Sequence, residues 1–107
     1  MGIEKIIKIS QLYDFYSELL NDKQREYIKN YYFDDLSLTE MSEIYGISKQ
    51  AISNNIKRSV KDLEDFEEKL EMIKISNERQ FLLNEINRIN TNNEVSELLD
   101  QLMKLDN

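Results

Sequence analysis

Three observations predict an all-α fold. The 107 residues include no proline and only 2 glycines, too few turn formers for a chain of short strands. Apolar residues recur three and four apart along most of the length, the repeat of a helix with one buried face. Two boxes, Asn21-x-x-Gln24 and Ser37-x-x-Glu40, stand where helices should begin. The expected architecture is a helix-turn-helix domain without a wing over residues 1–75, containing a long recognition helix. A C-terminal helical hairpin follows over 76–107, packed on the long helix or on a partner subunit.

The first helix is carried by Leu12, Phe15, Tyr16, Leu19 and Leu20, which form one apolar stripe. The second starts near Asp22 behind the Asn21/Gln24 box, with Ile28, Tyr31 and Tyr32 on its apolar face. The adjacent tyrosines admit two readings, a stacking platform for bases or core packing with exposed hydroxyls, and packing is the expected one. The third helix is capped by Ser37 and packs through Leu38, Met41, Ile44 and Tyr45. Gly46 is suited to the left-handed conformation that ends it.

Ser48 caps the next helix by accepting from the backbone of Gln50 or Ala51. From Lys49 no stop signal occurs until about Ser76. Ile52, Ile56, Val60, Leu63, Phe66, Leu70 and Ile73 make a near-heptad stripe, read as one long helix or two joined by a smooth bend. A further helix shows Phe81, Leu82, Glu85 and Ile86. The "NTNN" stretch is a loop, and the last helix carries Val95, Leu98, Leu99, Leu102 and Met103 before a frayed "DN" tail. The excess of apolar residues on the long helix and the final helices predicts a homodimer.

Composition narrows the function. There is no cysteine and no histidine. A disulfide framework and a thiolate site are excluded, a metal site would need carboxylates alone, and nucleophilic catalysis lacks its commonest base. A non-enzyme with no cofactor and no metal is expected. "MGIEKIIKI" is interrupted by Glu4, Lys5 and Lys8, so it does not read as a signal peptide, and Ile6 stands where a myristoylation motif needs Ser or Thr. No stretch approaches the ~20 apolar residues of a membrane span. A cytoplasmic protein without membrane insertion is expected. The formal net charge is −7, an unusual balance for a nucleic-acid binder.

The distribution of that charge is more informative than its sum. Residues 38–57 match a helix-turn-helix: Gly46 makes the turn, Ile47 plugs the gap between the helices, and Ile52 and Ile56 anchor the second helix. Ser42 stands where the close helix crossing usually takes Ala, so its hydroxyl needs a partner. With Ile52 and Ile56 inward, Lys49, Gln50, Ser53, Asn54 and Lys57 point outward, followed by Arg58 and Lys61. Gln and Asn suit adenine edges, and Lys suits guanine or phosphate. Lys57, Arg58 and Lys61 are better placed for phosphates. The stretch 49–61 holds four basic residues and no acidic one, whereas 62–71 holds six acidic residues against Lys69. Four phosphate contacts give a salt slope of only about −3.6, so one copy should bind weakly and a dimer about twice as steeply.

The stretch "LNDKQREYIKNYYFDDLSL" and the segment "EIYGISKQAISNNIKR" together resemble the YlxM family of small bacterial helix-turn-helix proteins. The family pattern has Arg where Lys49 stands, Tyr at Ser53 and Asp at Asn54. More distantly, the same stretch is similar to region 4 of bacterial sigma factors, which reads the promoter −35 element. The resemblance implies a sigma region-4-like, dimeric, cytoplasmic protein. It also implies a link to the signal recognition particle (SRP) pathway, because family genes commonly lie beside those of the particle's GTPases. Two functions follow as expectations. One is a regulator acting on SRP components, whether GTPase or RNA; its acidic surface suits basic partners, and the particle's RNA-binding protein is rich in basic surface. The other is a transcriptional regulator reading double-stranded DNA with the helix that starts at Ser48.

Overall fold

The computed structural model describes residues 2–106. Six α-helices follow one another: α1 (Ile3–Tyr16), α2 (Asp22–Ile28), α3 (Leu38–Tyr45), α4 (Lys49–Leu70), α5 (Met72–Ile89) and α6 (Asn93–Leu105). There is no strand among the described residues, and none of the helices is long and apolar enough to cross a membrane. The chain divides into two compact units, Met1–Leu70 and Glu71–Asn107.

In the first unit α1, α2 and α3 all pack on α4. Tyr27, Met41, Ile52 and Ile56 are buried together, and Tyr31, Tyr32, Leu36, Leu38, Tyr45, Ile47 and Val60 pack around them. Ile9, Leu12, Tyr16 and Leu63 are buried as well. Burial of each such side chain is worth about 1.5–3 kcal/mol against exposure. The paired tyrosines therefore serve packing: Tyr31 and Tyr32 meet edge to face, with ring centroids 5.0 Å apart.

Both capping boxes form as expected. Asn21 Oδ1 accepts from the Gln24 backbone at 2.9 Å, and Ser37 Oγ accepts from Glu40 at 3.0 Å. The first stripe is corrected. Tyr16 ends α1, and Ser17–Leu19 tighten into a 3₁₀ turn. With about three residues per turn there, Leu19 swings into solvent and Leu20 into the core. Phe15 is only partly covered, at 38% exposure, and the buried seam of α1 is Ile9, Leu12 and Tyr16. A π-turn over Lys29–Phe33 then extends α2, closed by a bond from the Asp34 amide to the Lys29 carbonyl at 2.9 Å. Asp35 takes a left-handed φ of 57°, and the Leu36 amide reaches back to Asn30 at 2.9 Å.

The long helix is also corrected. It ends at Leu70, not near Ser76, because Glu71 adopts a left-handed φ of 53°. Within α4, Ile52, Ile56 and Leu63 are buried as the stripe requires, but so is Ser59, whose hydroxyl donates to the Asn55 carbonyl at 2.8 Å. Three carboxylates of the acidic run that follows the basic one meet other helices. Asp62 accepts from the Gln24 amide at 2.8 Å, Glu64 pairs with Lys8 at 3.5 Å, and Glu67 accepts from the Tyr16 hydroxyl.

The second unit is the α5/α6 hairpin. Asn92 caps α6 by accepting from Glu94 at 2.8 Å and Val95 at 3.2 Å, and Asn90 bridges to Ser96 at 2.8 Å. These asparagines give the "NTNN" loop its form. Leu83 and Leu99 are buried, whereas Phe81, Leu82, Ile86, Ile89, Leu98, Leu102 and Leu105 are exposed. The expected α6 stripe is thus buried only at Leu99, since one partner helix can cover only one seam. Asp106 is not frayed: it pairs with Arg79 at 2.7 Å, and Asn107 lies outside the described residues.

Candidate nucleic-acid interface

The turn between α3 and α4 is built as the residue pattern requires. Gly46 sits at φ 69°, where an L side chain is strained, and its amide donates to the Ser42 carbonyl at 2.9 Å. Ser48 Oγ accepts from Ala51 at 3.1 Å. The Ser42 hydroxyl finds its partner in the Ile47 carbonyl, at 2.6 Å. A small polar residue therefore replaces the usual Ala at the helix crossing without leaving a polar group unpaired, and it ties the turn to α3.

This anchoring turns one face of α4 outward. Lys49, Gln50, Asn54, Lys57, Arg58 and Lys61 are exposed, and Ser53 is half-buried at the edge. Gln50 donates to Asn54 at 3.0 Å, so the two amides most suited to a base edge hold each other in place. Lys61 is different. It pairs with Asp65 at 3.2 Å, and that carboxylate, through its hydrogen bond and charge, raises the pKa of the Lys61 ammonium. Lys61 stands at the border between the basic and acidic halves of α4. Among the described residues no ion pair engages Lys49, Lys57 or Arg58. The first turn of α4 has no acidic residue, so its macrodipole adds to the charge of Lys49 instead of cancelling it.

Two clefts lie beside this face. One, of about 230 Å³, runs between α2 and α4 and is lined by Asn21, Lys23, Gln24, Asn55 and Arg58 over Tyr27. The other, of about 140 Å³, is lined by Lys5 of α1, Tyr31, Tyr32, Ser53 and Lys57. Lys23 Nζ lies 5.2 Å from the Tyr45 ring centroid and 5.9 Å from that of Tyr27. The Tyr45 hydroxyl accepts from Asn30. Burial, then a hydrogen bond to Glu26 and its charge, push its pKa up to about 12, and burial also raises that of Tyr32. Nothing in the sequence around Lys5 and Lys23 marks them as neighbours of this face. They lie far from the helix-turn-helix in the chain, and only the packing of α1 and α2 on α4 brings them to its sides.

A family model described as "Putative helix-turn-helix protein, YlxM / p13 like" (UPF0122) matches residues 3–103. The chain belongs to this family. The UPF0122 protein YlxM of Bacillus subtilis is 40% identical over 110 residues, covering 99% of this chain and 100% of that protein. A UPF0122 protein of Oceanobacillus iheyensis is 41% identical over 104 residues, 97% of this chain and 99% of its own length. One from Bacillus cereus is 39% identical over 109 residues, 97% of this chain and 99% of its own. Family members and this chain thus align nearly end to end, the α5/α6 unit included.

Proposed function

We propose that this chain is a cytoplasmic regulatory helix-turn-helix protein of the SRP pathway, and that its working contact is duplex DNA bound by the outward face of α4. It acts by binding and not by catalysis. The observation that carries the DNA contact is the unpaired cationic face of Lys49, Lys57 and Arg58 around the Gln50–Asn54 amide pair. Lys57 and Arg58 contact phosphates, while Gln50, Ser53 and Asn54 meet base edges in the major groove. The sigma region-4 likeness supports the same placement. An α-helix enters the major groove of B-form DNA, whereas the deep, narrow groove of A-form RNA does not admit it.

The pathway rests on the family resemblance. The second reading is direct contact with SRP protein or RNA components; the net charge of −7 favours its protein branch, since it suits a basic protein surface. The two are separated by measuring binding to random duplex DNA, to the particle's RNA and to its GTPase across a salt series. Duplex binding in the micromolar range or better, lost in a Lys57→Ala/Arg58→Ala/Lys61→Ala variant, is the expected result. No duplex binding at low salt would end the DNA reading, and no binding to GTPase or RNA would end the direct-contact reading.

A homodimer belongs to the same proposal. The exposed Leu82, Ile86 and Ile89 of α5 and Leu98, Leu102 and Leu105 of α6 supply the apolar surface for it. Light scattering at tens of micromolar should give a dimeric mass. A monomeric mass would remove the dimer.

A further inference from the structure

We propose that the two clefts flanking α4 are phosphate seats, one for each strand of a duplex whose major groove holds the helix. This deepens the DNA reading and rests on it. α4 advances 100° per residue, so Ser53 and Asn55 stand on opposite sides of Asn54, and Lys57 and Arg58 diverge likewise. Each flank is completed by a lysine from another helix. On one side Lys57 and Ser53 share a cleft with Lys5 of α1 and the tyrosines Tyr31 and Tyr32. On the other, Arg58 and Asn55 share a cleft with Lys23 and Asn21 at the start of α2.

The charge pattern singles these clefts out. The chain has 21 acidic residues against 14 basic ones, yet no carboxylate lines either cleft. Asp62, the acid nearest in α4 to the Arg58 cleft, is held by the Gln24 amide. The neighbouring cleft along α1 makes the contrast: there Lys5 and Lys8 are joined by Glu4 and Glu64, and Lys8 is already paired at 3.5 Å. A helix seated in the major groove has a phosphate chain along each side, about 12 Å apart across the groove. Two cationic clefts on opposite flanks of one reading helix answer that arrangement, and their hydroxyl and amide groups add neutral donors to the phosphate oxygens.

The test is the salt dependence of binding to random duplex DNA by the full-length protein, for wild type, Lys5→Ala, Lys23→Ala, the double variant and Lys8→Ala. Each seat contributes about −0.9 to the slope of log affinity against log salt. Lys5→Ala and Lys23→Ala are each expected to reduce the slope by about one and the double variant by about two, with Lys23→Arg restoring the Lys23 share. Lys8→Ala removes the same charge from α1 and is expected to leave the slope unchanged. Wild-type binding with slopes equal in all variants, or reduced as much by Lys8→Ala, would overturn the seats and leave the DNA reading standing. Absence of wild-type binding would overturn both. All the substituted lysines are exposed, and unchanged thermal melts would confirm that a lost slope is not lost folding.

Discussion

The two units handle their apolar residues differently. Among the described residues, ten large apolar side chains are buried in Met1–Leu70, drawn from α1, α2, α3, α4 and the Leu20 linker, but only Leu83 and Leu99 are buried in the α5/α6 hairpin. The hairpin is not poorer in such residues, since Phe81, Leu82, Ile86, Ile89, Leu98, Leu102 and Leu105 all lie outside. The difference is geometric. α4 is covered by three other helices and can bury a broad stripe, whereas within the hairpin α5 and α6 cover each other along a single seam. An amphipathic pattern in the chain thus predicts a surface that can be buried, not that it is buried within one copy.

The largest effect that tests this contrast is a truncation in each unit. Ile52→Ala should cost about 2–5 kcal/mol in chemical denaturation, because Ile52 is fully enclosed and a cavity would remain. Leu98→Ala, at 60% exposure, should cost less than about 0.5 kcal/mol at concentrations where the chain is monomeric. Equal costs would mean that the hairpin is closed in a way its exposure does not show.

A second pair compares the two ends of the long helix. Gly46 and Glu71 both sit in the left-handed region, at φ 69° and 53°. A methyl group added at Gly46 meets no atom within 4 Å, so Gly46→Ala should lose only the conformational term, about 1–2 kcal/mol. Glu71→Gly should gain up to about 1 kcal/mol, since it relieves the left-handed backbone and gives up an exposed ion pair with Lys74 at 3.5 Å. A loss of stability there would show that Glu71 holds more than backbone shape.

A further effect is electrostatic and confined to alkaline pH. Folding raises the Tyr45 pKa to about 12 from about 10, so the folded state keeps a phenol proton that the unfolded chain releases. That contribution to stability is complete below about pH 10 and declines as pH rises toward 12. Tyr45→Phe should flatten this alkaline decline while leaving the neutral-pH profile unchanged in shape. An unchanged decline would place its cause elsewhere.

Much of the first unit could be read from the chain because its signals are local. Asn21 with Gln24, Ser37 with Glu40, Gly46 and Ser48 each act within four residues, and each forms the expected cap or turn. Ile52 and Ile56 face inward because helical period alone puts them together. The need for a partner at Ser42 was also visible, though not that the Ile47 carbonyl would supply it. What the chain concealed was set by contacts distant in sequence. Glu71 carries no stop signal, and the α1 stripe gave no sign of the 3₁₀ turn that turns Leu19 out. The acidic half of α4 gave no sign of its partners, yet three of its carboxylates meet Gln24, Lys8 and Tyr16 of other helices.

Short-range chemistry therefore specified the helices, their caps and the outward residues of α4, since a cap or a helical face depends on neighbours within one or two turns. The clefts beside α4 came from folding: Lys5 and Lys23 meet Lys57 and Arg58 only when α1 and α2 pack on α4, and no local spacing encodes which lysine arrives at which flank.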